Sequence, residues 1–314
     1  NVLGKLAACC GVSVTFLLSL RFFLRCYRRV VWDRRKTLLP LPTPGGRRTL
    51  LPTSDPHEIS LQKLVHKIGN ASSSSSAMRQ SNIVGDGTVH DLTHLLRECI
   101  EEGLKRVRDD KSNNHSFIVG CDDENPIKAE FITHATMEFG SLRMEWGLEG
   151  DFWSSLCSES LLSRGHDSWF SSDRRYLLKV VASEEQRKLS LMAGQLLEHF
   201  RTRPDSLLCR YCGSYEFKIG RERLHLVAMV NLLHDTKQED VVYDLKGSED
   251  WAPAIPGAVL KELNFADKLI GMDKQATERL RGVVTADVSF LERQRLVGYS
   301  MLVGVHYLEE GETG

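Results

Sequence analysis

The chain has almost no net charge. Its 41 Lys and Arg stand against 42 Asp and Glu, a formal net charge of -1, so no overall basic field argues for a nucleic-acid partner. It also lacks a cysteine framework. Eight cysteines occur in 314 residues, and Cys209 and Cys212 form a lone Cys-x-x-Cys with no second pair at zinc spacing. Neither His199 nor His225 is placed to complete a site. Two small apolar residues in a strand, in a reduced compartment, is the simpler reading. Long hydrophobic runs are missing except at the start. Leu6 to Leu20 carries no charge but is broken by Gly11, Ser13, Thr15 and Ser19, whereas a bilayer span needs about 20 apolar residues.

The segment after that run is strongly basic. Arg21, Arg25, Arg28, Arg29, Arg34, Arg35 and Lys36 crowd together, as in a segment beside an anionic membrane. Residues 1–36 are therefore expected to form a membrane helix with a basic flank, the rest of the chain lying on the cytoplasmic side. An interfacial or core helix is the competing reading. Residues 37–89 hold Pro40, Pro42, Pro44, Gly45, Gly46, Pro52, Pro56 and Ser72 to Ser76, a composition that buries too little to fold, so a disordered linker is expected. The first residue is Asn1, and the chain is expected to be a fragment.

From residue 90 the pattern is that of a folded domain. Leu92, Leu96, Cys99, Gly103 and Val107 fall at helical spacing. Residues 139–148 predict a helix ending at Gly147, with a short second helix after it. Trp169-Phe170 and Tyr176 to Val181 flank Ser171-Ser172-Asp173, a hairpin signal. Ser183 with Gln186 predicts a capping box, and Leu189, Met192, Leu196, Leu197 and Phe200 one apolar helix face. Strands are expected over 211–219, 224–231 and 241–245, and a long helix through Leu280, Val283, Val284, Asp287, Val288 and Leu291. The order is α+β: an antiparallel sheet with helices, followed by the start of a second, helical lobe.

Three motifs carry chemistry. Lys179 sits mid-strand in Tyr176-Leu177-Leu178-Lys179-Val180-Val181, where it must bury its stem or meet an anion; a lysine at a sheet edge with its head in water is the plainer alternative. Tyr243-Asp244-Leu245-Lys246-Gly247-Ser248 sets a cation beside an unhindered backbone N–H, which suits a phosphate oxygen. Leu296-Val297-Gly298-Tyr299-Ser300-Met301-Leu302-Val303-Gly304-Val305-His306 closes the series.

In that order the motifs resemble the phosphatidylinositol phosphate kinases, over roughly 131–307 and more faintly from 90. The resemblance implies a kinase-like N-lobe and the start of a C-lobe within 90–307, with 308–314 a tail. It implies ATP and Mg²⁺ as cofactors, and phosphorylation of a phosphoinositide head group, foremost phosphatidylinositol 4-phosphate, at an anionic membrane. A second copy of the chain is a candidate partner. Gly165, Lys179, Met229 and Asn231 would meet the nucleotide; Lys246 would meet a phosphate of ATP or of the head group, with Gly247 and Ser248 on the head group; Glu184 or Glu185 would pair with Lys179. Gly298 stands where the family has its catalytic Asp, and Asn264 where Lys-Asp-x-Asp-Phe has its second Asp. Glycine offers no base, and the family's metal-binding Asp has no counterpart before Gly314. Little or no lipid turnover is therefore expected. The alternative is an inactive kinase-fold module that binds phosphoinositides or a partner, as a piece of a receptor fused to such a domain.

Overall fold

The computed structural model describes residues 6–8, 12–19, 86–110, 116–121, 127–164, 167–234, 241–247, 250–254, 258–265, 274–296 and 299–307. The predicted linker before residue 86, the tail, Gly165, Ser248 and Gly298 lie outside them. The chain divides into two units, one of Leu50–Leu197 and Arg210–Asn231, the other of Asn1–Thr49, Glu198–Cys209 and Leu232–Gly314.

The apolar start is extended where a membrane helix was expected. Leu6–Ala8 (β1) and Val12–Ser19 (β2) are antiparallel strands, and no helix of the described residues is long and apolar enough to cross a membrane. Val12, Val14, Thr15 and Phe16 are β-branched or aromatic, residues that favour a pleated surface over a helix.

The first unit opens with helix α1 (Asp86–Asp109). Leu96, Cys99, Ile100 and Leu104 are buried in one stripe, and Arg106 and Arg108 occupy the last turn, where cations suit the helix dipole. Strands β3 (Ser116–Cys121) and β4 (Ile127–His134) follow. Helix α2 (Thr136–Glu145) stops as predicted. Gly147 takes φ 65° and its N–H donates to Met144 O (3.0 Å), while Leu148 N–H donates to Arg143 O (2.8 Å), a Schellman ending. Helix α3 (Glu149–Cys157) comes next, then β5 (Leu162–Ser163), β6 (Ser168–Phe170) and β7 (Tyr176–Val181). Helix α4 (Ser183–Thr202) leads to β8 (Tyr211–Ile219) and β9 (Glu222–Val230). The sheet runs β3-β4-β8-β9-β7-β6-β5, antiparallel throughout. Its core joins Leu96, Ile100 and Leu104 of α1 with Phe131, Phe152, Tyr176, Leu178, Phe217 and Leu226. Cys157, Cys209 and Cys212 are buried free thiols.

The second unit holds β10 (Val241–Leu245), β11 (Val259–Leu260), the short α5 (Glu262–Phe265), α6 (Lys274–Arg293) and β12 (Ser300–Tyr307). Its sheet runs β1-β2-β12-β10-β11, with only the β10–β11 pair parallel among the described pairings. The last motif thus runs as a strand from Ser300 onward. Tyr243, Val303 and Val305 form its core with Leu260 and Phe265. Asp287 of α6 is 0% exposed. It accepts hydrogen bonds from His199 Nε2, Ser206 Oγ and Leu207 N, each at 2.7 Å.

Gly103 tests the core of the first unit. A Cβ there would lie 2.4 Å from Cγ and Cδ2 of Phe131, itself fully buried. Gly103→Ala is expected to destabilise the protein by about 1–3 kcal/mol through overpacking, read as a lower denaturation midpoint in urea.

Candidate functional site

Strand alternation decides where Lys179 points. Tyr176 and Leu178 enter the core, so Leu177, Lys179 and Val181 take the other face. Lys179 pairs with Val227, which pairs with Ser214, which pairs with His134. Helix α4 covers this face. Ser190 Oγ lies 3.1 Å from Ser214 Oγ, Gln186 Nε2 donates to Tyr215 O (2.5 Å), and His225 Nδ1–H donates to Gln186 Oε1 (2.7 Å). Gln186 is therefore spent on the sheet and not on the capping box the sequence suggested.

Lys179 is half-buried, and among the described residues it forms no ion pair. Glu184 pairs with Arg187 (2.9 Å) instead, because residues three apart on a helix face each other. Met229 lies on the same sheet face as Lys179, opposite Leu177. Asn231 is used structurally: its N–H donates to Arg175 O and its Nδ2 to Arg174 O, each at 2.8 Å, closing the end of the β6–β7 hairpin. Gly165 lies outside the described residues. Strands β5 and β6 are joined by Arg164 N–H to Ser168 O (2.8 Å) and Ser168 Oγ to Arg164 O (2.6 Å).

The row beside Lys179 is charged. Val181 pairs with His225 and His225 with Glu216. Glu216 is buried, with His134 Nε2 3.4 Å away and Arg223 Nη1 on its other oxygen. His134 holds the Glu216 carboxyl below the usual carboxylate range; burial opposes this, and the charges of Arg223 and His225 add to it.

In the second unit, the run 243–248 is built around Asp244. Its carboxylate is 0% exposed. Lys246 Nζ donates to Oδ2, and Lys261 Nζ donates to the same atom at 3.0 Å. Lys246 N–H donates to Glu262 Oε1. Gly247 takes φ 72°, a left-handed conformation that suits a residue without Cβ. Ser248 lies outside the described residues. Lys261 is a functional candidate not singled out in the sequence, although it stands at the Lys of the Lys-Asp-x-Asp-Phe pattern that Asn264 interrupts. Asn264, the departure in that stretch, takes a structural role. Its Oδ1 accepts from Ala252 N (3.0 Å) and Lys261 N (3.1 Å), and its Nδ2 donates to Ala252 O (3.0 Å).

Among the described residues, no group of three His, Cys, Asp or Glu side chains is arranged to hold a metal ion, so no residue is assigned to Mg²⁺. Asp287 is committed to its three donors and is not available as a base.

A family model described as phosphatidylinositol-4-phosphate 5-kinase matches residues 151–314. The chain is 28% identical over 264 residues to mouse phosphatidylinositol 4-phosphate 5-kinase-like protein 1, covering 75% of this chain and 66% of that one. It is 26% identical over 219 residues to zebrafish phosphatidylinositol 5-phosphate 4-kinase type-2 gamma, covering 64% and 51%. It is 30% identical over 161 residues to human phosphatidylinositol 4-phosphate 5-kinase-like protein 1, covering 48% and 41%. The chain thus spans less than two thirds of the length of these relatives.

The depressed Glu216 sets a pH dependence. Its contribution to stability is complete above the unfolded value of 4.5 and is lost as pH falls through the lower folded value. The stability gap between wild type and Glu216→Gln is expected to be constant at neutral pH and to close below about pH 4.5, measured by urea unfolding across pH.

Proposed function

The chain belongs to the phosphatidylinositol phosphate kinase family, a family of lipid kinases that use ATP, and from that premise we propose that it binds ATP through Lys179 and a phosphorylated inositol head group through Lys246 and Lys261. The reaction is transfer of the ATP γ-phosphoryl group to a ring hydroxyl, with phosphatidylinositol 4-phosphate as the substrate and the 4,5-bisphosphate as the product. The observation that carries this reading is the shared carboxylate of Asp244, which holds two ammonium groups on one oxygen. Two cations at one point suit a phosphate with two or three charged oxygens. Gly247 leaves its backbone N–H accessible beside them.

Lys179 supplies charge to the nucleotide phosphates. Lys179 is half-buried and has no carboxylate partner among the described residues, so a phosphate oxygen is the anion that suits it. ATP and Mg²⁺, when bound, supply the phosphoryl group and the charge that shields it. The chain's own residues bind and orient. Gly298 contributes no proton acceptor, so turnover is expected to be slower by about 10²–10⁴ than with a carboxylate there.

Two measurements test this. Calorimetry of ATP binding should show a clear loss of affinity for Lys179→Met; equal affinities would remove Lys179 from the nucleotide site. A radiolabelled-ATP assay on phosphatidylinositol 4-phosphate should give little or no labelling by the wild type, with Gly298→Asp assayed alongside; robust labelling by the unmodified chain would show that another carboxylate has taken the role of the base. A chain that binds the lipid but labels none is a head-group-binding module and not a kinase.

A further inference from the structure

Beside the two lysines lies an exposed apolar surface that neither ATP nor the head group requires. Trp251 is 64% exposed, Leu263 51% and Val259 39%. Their mounting is firm. Leu263 N–H donates to Asp250 O (3.0 Å), and Ala252 is bonded through both its N–H and its carbonyl to the Asn264 side chain (3.0 Å each). The backbone on either side of Trp251 is therefore fastened to α5. Asn264 also fastens Lys261 N, so one side chain ties the indole's loop to the lysine that meets Asp244. Holding an indole and a leucine in water forfeits the hydrophobic gain of covering them.

We propose that Trp251, with Leu263 and Val259, is an interfacial anchor that enters the head-group region of a phospholipid bilayer next to the Lys246–Lys261 pair. The inference rests on the reading of that pair as a head-group site, because a lipid phosphate reaches the pair only if the surrounding surface meets the bilayer. Tryptophan suits that boundary, with an apolar body and one N–H donor for the wet side. Charge alone does not supply the affinity. Lys246 and Lys261 complement lipid phosphates, but Asp244 and Glu262 are bonded to them. The apolar residues supply it, and their contribution survives high salt, which screens exposed charges beyond about 3 Å at 1 M.

The test is partitioning of the full chain onto vesicles at about 1 M salt, once on phosphatidylcholine alone and once with added phosphatidylinositol 4-phosphate. Trp251→Ala is expected to weaken partitioning about tenfold on both, whereas Lys246→Met weakens it only where the phosphoinositide is present. Lipids brominated on their acyl chains should quench wild-type tryptophan fluorescence, and the quenching should fall in Trp251→Ala. Trp251 is exposed, so its removal leaves no cavity and the unfolding midpoint should match wild type. Equal partitioning and equal quenching for wild type and Trp251→Ala overturn the anchor, and a retained Lys246→Met effect would then leave the head-group site standing. A change in sedimentation with vesicle binding intact would make the surface a contact between copies, which also overturns the proposal.

Discussion

A carboxylate taken out of water costs several kcal/mol unless charge and hydrogen bonds meet it, and Asp244 has no exposure at all. Two lysines meet it from different segments, Lys246 just past the end of β10 and Lys261 just before α5. The demand of one buried charge thus draws together residues 17 apart in sequence. Asn264 then fixes the loop at 252 to the backbone of Lys261. The arrangement of this corner, cation pair and exposed indole included, comes from satisfying Asp244 and the backbone groups around it.

The strand that carries Lys179 obeys a different constraint. Period-2 alternation sends Tyr176 and Leu178 into the core and leaves Lys179 on the face that α4 covers. Kinases pair such a lysine with a helix glutamate. Here Gln186 and Ser190 of α4 bond to the sheet, while Glu184 is engaged with Arg187. Lys179 therefore has no acidic helix partner among the described residues, a departure that alters how its position is held.

Much of the fold is legible in the sequence. Strong local signals carry the Gly147 helix ending, the β6–β7 and β8–β9 hairpins, β10 and α6, because each depends on turn residues or helical spacing within a short window. Strands β3 and β4 escape such a reading: their pairing is set by contacts with α1 and β8 distant in sequence. Strand β12 escapes it for the same reason, since its glycine-containing run becomes a strand only through pairing with β10 and β2. The apolar start reads as a helix when length and hydrophobicity are weighed above the β-branched residues of β2. Lys179 and Lys246 stand out as candidates from their motifs. Lys261 does not, because its candidacy comes from sharing an oxygen with Lys246, a property of tertiary structure alone. Asp287 looks like a spare carboxylate in sequence, and its three buried donors show it to be a structural tie.

The central claim is that Lys246 and Lys261 act as one site. Its most direct test is a double-mutant cycle, with calorimetric affinity for soluble inositol 1,4-bisphosphate measured for wild type, Lys246→Met, Lys261→Met and the double variant. If one phosphate bridges both ammonium groups, each single change weakens binding and the double change costs less than their sum, with a coupling of about 0.5–3 kcal/mol. Strictly additive losses, or no loss from Lys261→Met, would contradict a shared site.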